Sequence, residues 1–377
     1  MGHKWLIGMF VGALSVVVGA VLLTIGAAPA VPVAATPLSN LANRPRGIFV
    51  LAGLGGPHGG TDQSLQIISQ IGNLDYIEGV TIGFSWAATE IVPGQYDFSK
   101  IDAVMAALQS TGKKLNVEVF AVEVPEYLVE QLPAEEVWES HAPGGRTVTT
   151  AVPWSQTALN AWRTYLQALA DHPVPLPDGT LVRFADHPTL LMLDAPIVGL
   201  QCVRDLTQTL TTLPEYTRAK FVNAVVQSVH MTRDIFPNKF GFLGFFRMDD
   251  ADHSYPLDQE IMDRLLQDFN NPGQLTLGFF QETLNEATPL ADGLGKHLFA
   301  VKDRTYIVFQ ALKPFTGAGG KAALALQFAY ETYNAAYVEI YIADVLDPAQ
   351  TQDLQRWSAI LTGFPFRTYL PLIERGE

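Results

Sequence analysis

A chain of 377 residues, 48% apolar and 16% charged, can bury a sizeable core in one large domain or two ordinary ones. A net charge of −14 makes it a poor partner for nucleic acid or anionic lipid. A single cysteine, Cys202, excludes an intrachain disulfide and a thiolate metal cluster.

After His3 and Lys4, the run from Trp5 to Ala28 carries no charge and only Ser15 and Thr24 as polar side chains. A membrane-spanning helix needs roughly 20 apolar residues, whereas a cleaved signal has an apolar core of about 7–15. The length favours a retained anchor, while the small residues of Ala27–Pro37 offer cleavage sites. Residues 1–37 are therefore read as a signal peptide or membrane anchor with a short linker. Either reading places the rest, 38–377, outside the cytoplasmic membrane, as a membrane-anchored or secreted protein touching the membrane only through this helix.

Eight strand-like runs follow: Gly47–Leu54, Gly79–Trp86, Lys114–Ala121, Thr189–Leu200, Lys239–Phe246, Gln274–Gln281, Arg304–Leu312 and Ala336–Ala343. Most are nearly continuously apolar, as strands buried on both faces should be. Helix-period segments separate them. In one, Ile101, Met105 and Leu108 share a face and Gly112 suits the C-terminal cap. In another, Leu159, Trp162, Leu166 and Leu169 share a face behind Ser155 as N-cap. Eightfold alternation predicts an α/β fold, a single (β/α)8 TIM barrel over 38–377. The competing doubly wound sheet would carry a Gly-rich dinucleotide fingerprint after the first strand. Pro57 and His58 interrupt the nearest match, Leu51–Gly60, and no helix is expected to open on its last glycine, so no cofactor is expected.

Barrel enzymes place reactive groups at the C-terminal ends of strands. That rule selects Trp86 and Glu90 after the second run, and Asp194 and Gln201 in and after the fourth. It also selects Glu282 after the sixth, Gln310 at the end of the seventh, and Glu339 and Tyr341 in the eighth. Glu339 lies between Val338 and Ile340 in an apolar strand, where burial would raise its pKa toward acid duty. The acidic run Asp249–His253 lacks a regular calcium loop, and the histidines show no zinc spacing, so no metal is expected.

The motif W-x3-E-x2-P-G-x-Y-D-F-x3-D, Trp86 to Asp102, resembles the second-strand region of (β/α)8 glycoside hydrolases of the β-galactosidase and cellulase type. Val152–Asp171 resembles the Pro-Trp segment and helix before their fourth strand. The resemblance implies a sugar cleft rimmed by Trp86, an acid/base Glu after strand four and a nucleophilic Glu at the end of strand seven. Here Gln201 and Gln310 stand near those places, and an amide can neither attack nor donate the required proton. This leaves Glu282 and Glu339 as candidate catalytic carboxylates. Trp86, Glu90, Asp194, Gln201, Gln310 and Tyr341 are candidate substrate contacts. Two readings remain open: an exported glycoside hydrolase-like enzyme acting on an extracellular glycan, or a carbohydrate-binding or scaffold barrel without turnover.

Overall fold

The computed structural model describes residues 43–53, 60–142, 146–205, 208–246, 248, 250, 256–269, 277–285, 293–316 and 321–363. The expected helix at Trp5–Ala28 lies outside them. Among the described residues no helix is long and apolar enough to cross a membrane.

Eight parallel strands close a barrel: β1 (Gly47–Leu51), β2 (Gly79–Ser85), β3 (Lys114–Phe120), β8 (Leu190–Asp194), β9 (Phe240–Gly244), β10 (Leu277–Leu284), β11 (Tyr306–Ala311) and β12 (Tyr337–Ile340). β1 pairs with both β2 and β12, so the sheet has no free edge. Each strand begins within three residues of its predicted start. Two antiparallel hairpins interrupt the alternation: β4 (Val137–Ala142) with β5 (Arg146–Ala151), and β6 (Pro173–Pro175) with β7 (Leu181–Arg183).

Side chains alternate between two cores. Outward residues such as Ile48, Val50, Val117 and Val338 join the helix layer. Inward, Phe49, Met192, Phe242, Phe280, Tyr306 and Tyr337 form a separate aromatic-rich plug. Its large rings stand beside glycines on neighbouring strands. Phe49 is in register with Gly79, and a Cβ there would lie 2.5 Å from the Phe49 ring. Tyr306 is in register with Gly278, where a Cβ would lie 2.1 Å from the Tyr306 ring.

The helices follow their sequence signals. α3 (Ser99–Gln109) buries Ile101, Val104, Met105 and Leu108. Gly112, at φ +71°, turns the chain out of it. The Asp97 carboxylate accepts the Ser99 amide at the helix entrance. α5 (Gln156–Asp171) buries Leu159, Trp162, Leu166 and Leu169, and Ser155 Oγ accepts the Ala158 amide as its cap. One expectation fails: α1 (Thr61–Ile71) does open directly after Gly60. The closed barrel nevertheless replaces the open-sheet topology that a dinucleotide fingerprint would serve.

Candidate active site

At the C-terminal end of the barrel, a cavity of about 200 Å³ lies above the aromatic plug. β3 contributes Glu118 and Phe120, one period-2 step apart on the inner face. β8 contributes Asp194, and the segment after it contributes Gln201, Cys202 and Arg204. Gly244, Phe246 and Glu282 close the side formed by β9 and β10. Ser140 and His141, from the β4–β5 hairpin, complete the wall.

The hairpin is held in place by backbone fit. Trp138 Nε1 donates to the Ala151 carbonyl at 3.0 Å. Gly199, at φ +74°, lies so close that a Cβ would approach that same carbonyl oxygen to 1.9 Å. Arg146 of the hairpin also pairs with Glu123.

Gln201 adopts φ +71°, an uncommon conformation for a non-glycine residue that needs surrounding support. The support comes from both ends of its side chain. Oε1 accepts the Ala121 amide at 2.7 Å, and Nε2 donates to Asp194 Oδ2 at 2.8 Å. Asp194 Oδ1 accepts the Val119 amide at 2.9 Å. Asp194 and Gln201 thus form a clamp joining β3, β8 and the loop beyond.

Glu282 Oε1 accepts from Arg204 at 2.9 Å, and the Arg204 guanidinium lies 4.3 Å from the centre of the Phe246 ring. Burial raises the Glu282 pKa, and Arg204 opposes that rise. Glu118 has no such partner. It is 8% exposed, and its Oε1 makes no hydrogen bond. Burial pushes its carboxyl well above the usual range, reinforced by the like charges of Glu339, Asp194 and Glu282. Beneath the cavity, Glu339 is fully buried. Its Oε1 accepts from Thr81 Oγ1 at 2.6 Å, Tyr337 OH at 2.7 Å and Asn116 Nδ2 at 2.8 Å. Burial raises its pKa too, and these hydrogen bonds work against the rise.

The structure brings together three of the sequence candidates, Asp194, Gln201 and Glu282. The others require correction. Trp86 does not line the cavity: its indole is fully buried, 5.1 Å from the Trp162 ring and 5.8 Å from Tyr165. Glu90 is 4% exposed and committed to Trp86 Nε1 and the Gly94 amide. Glu339 has no exposed surface, and neither Gln310 nor Tyr341 lines the cavity. The Tyr341 hydroxyl donates to the Leu312 carbonyl. Of the acidic run after β9, Asp250 is described, and its carboxylate takes Arg218 and Tyr216. Among the described residues no cluster could hold a metal ion.

Glu118, His141 and Arg204 are among the lining residues that the sequence reading missed. Glu118 carried the same signal as Glu339, a lone carboxylate inside an apolar strand. The hairpin was signalled by Pro143-Gly144-Gly145 beside the β-branched run Thr147–Thr150.

No family model matches the sequence, and no curated protein matches it. Solved structures do. The β-galactosidase of Bacillus circulans sp. alkalophilus matches with a TM-score of 0.52 at 11% identity, over 84% of this chain and 55% of that one. The barrel shares its fold with a glycoside hydrolase. The exo-β-1,4-mannosidase Op5Man5 from Opitutaceae bacterium strain TAV5 gives 0.46 at 12%, over 84% of this chain and 59% of that one. Endo-glycoceramidase II from Rhodococcus sp. gives 0.45 at 13%, over 82% and 77%. The chain therefore spans little more than half the length of the galactosidase and the mannosidase. The glycoside hydrolase resemblance of the Trp86–Asp102 motif thus has a counterpart in the fold, with Gln201 after the fourth barrel strand and Gln310 near the end of the seventh.

Proposed function

We propose that this protein is a glycoside hydrolase-like enzyme that acts on a glycan held in the cavity between Glu118 and Glu282. One observation carries the reading: two carboxyl groups with different electrostatic partners face one cavity at the C-terminal end of the barrel. Glu118, unpaired and surrounded by like charge, keeps its proton to higher pH and suits the donor to a leaving sugar oxygen. Glu282, paired with Arg204, suits the carboxylate that attacks the anomeric carbon or activates water. The wall offered by Phe120 and Phe246 suits the apolar face of a sugar ring. The fold shared with a β-galactosidase supports glycans as the ligand class. The apolar Trp5–Ala28 segment supports a substrate met outside the cytoplasmic membrane.

A panel of aryl glycosides tests this. The parent protein should cleave at least one, and Glu118→Gln and Glu282→Gln should each lower kcat by about 10²-fold or more while still binding sugar. Binding without turnover by the parent would replace the enzyme with a carbohydrate-binding barrel.

A further inference from the structure

Carboxyl groups crowd the cavity. Glu118, Asp194 and Glu282 line it, and Glu339 lies beneath. Arg204 is the one described cation among the lining residues, and Glu282 already takes it at 2.9 Å. Asp194 is satisfied by the Val119 amide and Gln201. Glu118 is not: it is more than nine-tenths buried, it lines the cavity, and its Oε1 has no partner. His141, which lines the same cavity from the hairpin, also has a buried Nδ1 without a partner. A buried carboxyl oxygen left without a donor costs free energy, and a ligand that supplies a charged donor there recovers it.

Among the described lining residues, the buried side-chain polar atoms lacking partners are a carboxyl oxygen and a ring nitrogen. A cavity of about 200 Å³ is smaller than the roughly 300–1,000 Å³ of pockets for drug-sized ligands, which suits a single sugar ring. We propose that the cavity selects a cationic sugar, a hexosamine with a free amino group, and seats its ammonium against Oε1 of Glu118, the carboxyl oxygen that lacks a donor, while the other oxygen carries the proton for the leaving group. This deepens the glycan reading above and rests on it. The selectivity has a physical basis: N-acetylation removes the charge and adds bulk, and a hydroxyl in the amine's place supplies a weaker, uncharged donor.

Calorimetric titration of the full chain with three β-1,4-linked tetramers tests the proposal: glucosamine, N-acetylglucosamine and glucose. Titration at raised salt suppresses attraction to the acidic surface. The glucosamine tetramer should bind at least about tenfold more tightly than the other two. Glu118→Gln should bring the three within about threefold of one another, and Glu118→Asp should retain part of the preference. Melting curves of both variants establish that they fold. Equal affinities in the parent, or an amine preference that survives Glu118→Gln, would overturn the inference. If a neutral tetramer is bound or cleaved without amine preference, the inference fails and the glycan reading stands. If no glycan of any class binds or is cleaved, both fall.

Discussion

Trp86 Nε1 donates to Glu90 Oε2 at 2.7 Å, and Glu90 Oε1 accepts the Gly94 amide at 3.0 Å. The Glu and the Pro-Gly turn after β2 therefore serve the indole and their own loop. One short helical turn, α2 (Trp86–Thr89), brings donor and acceptor together four residues apart. Trp86→Ala should lower stability by about 3–5 kcal/mol, the cost of emptying a fully buried aromatic site. Urea unfolding without any sugar present measures it, and a normal midpoint with weakened sugar binding would contradict the assignment.

Glu339 ties β12 to β2 and β3 through Thr81 and Asn116. Glu339→Gln keeps an acceptor for all three donors and should cost about 1 kcal/mol or less. Glu339→Leu removes that shared acceptor and leaves Tyr337 OH and Asn116 Nδ2 only their longer contacts to Thr81 Oγ1, at 3.2 and 3.3 Å, so it should cost more, about 1–3 kcal/mol for the group left unsatisfied. Denaturant midpoints of the two variants separate this structural role from a catalytic one.

Glu118 gives the fold a pH dependence of known sign. Its folded pKa lies above the ordinary value of 4.5, so the folded barrel binds its proton more tightly than the unfolded chain does. Its contribution is fully present below about pH 4.5 and is lost as pH rises toward the raised folded value. Glu118→Gln should therefore stabilise the barrel at pH 7.5, with a gain that shrinks as the pH falls to about 4.5. Melting temperatures of parent and variant across this range check the slope. A gain that is constant with pH would contradict it.

Gly278 leaves room for the Tyr306 ring in the inner plug. Gly278→Ala places a methyl 2.1 Å from that ring and 2.8 Å from the Tyr306 carbonyl oxygen, so backbone must move. The expected loss is about 1–3 kcal/mol, as for other overpacked cores. A thermal melt of the single variant measures it.

The barrel was legible because its strands, buried on both faces, read as apolar runs of matching length with amphipathic helices between them. Register supplies what sequence spacing alone lacks. Glu118 and Asp194 lie 76 positions apart in the chain yet face one cavity, because β3 pairs with β8. Trp86 misled for a related reason. It stands one residue beyond β2, and the helical turn that begins there aims it outward, toward α5. Glu282 was legible from its place after an apolar run. Its partner Arg204 belongs to the long segment between β8 and the following helix, which carries no periodic signal.

Cys202 is the chain's single cysteine and lines the cavity, so it reports directly on occupancy. Burial raises its thiol pKa, so alkylation should be slow and best followed at mildly alkaline pH. The decisive measurement is the rate of Cys202 modification by a small alkylating reagent, followed by mass spectrometry with and without saturating sugar. A glycan that the protein binds or cleaves should slow modification about tenfold or more, and a Cys202→Trp variant should lose binding of that glycan. An unchanged alkylation rate with the sugar demonstrably bound would place the glycan elsewhere and contradict the assignment of this cavity.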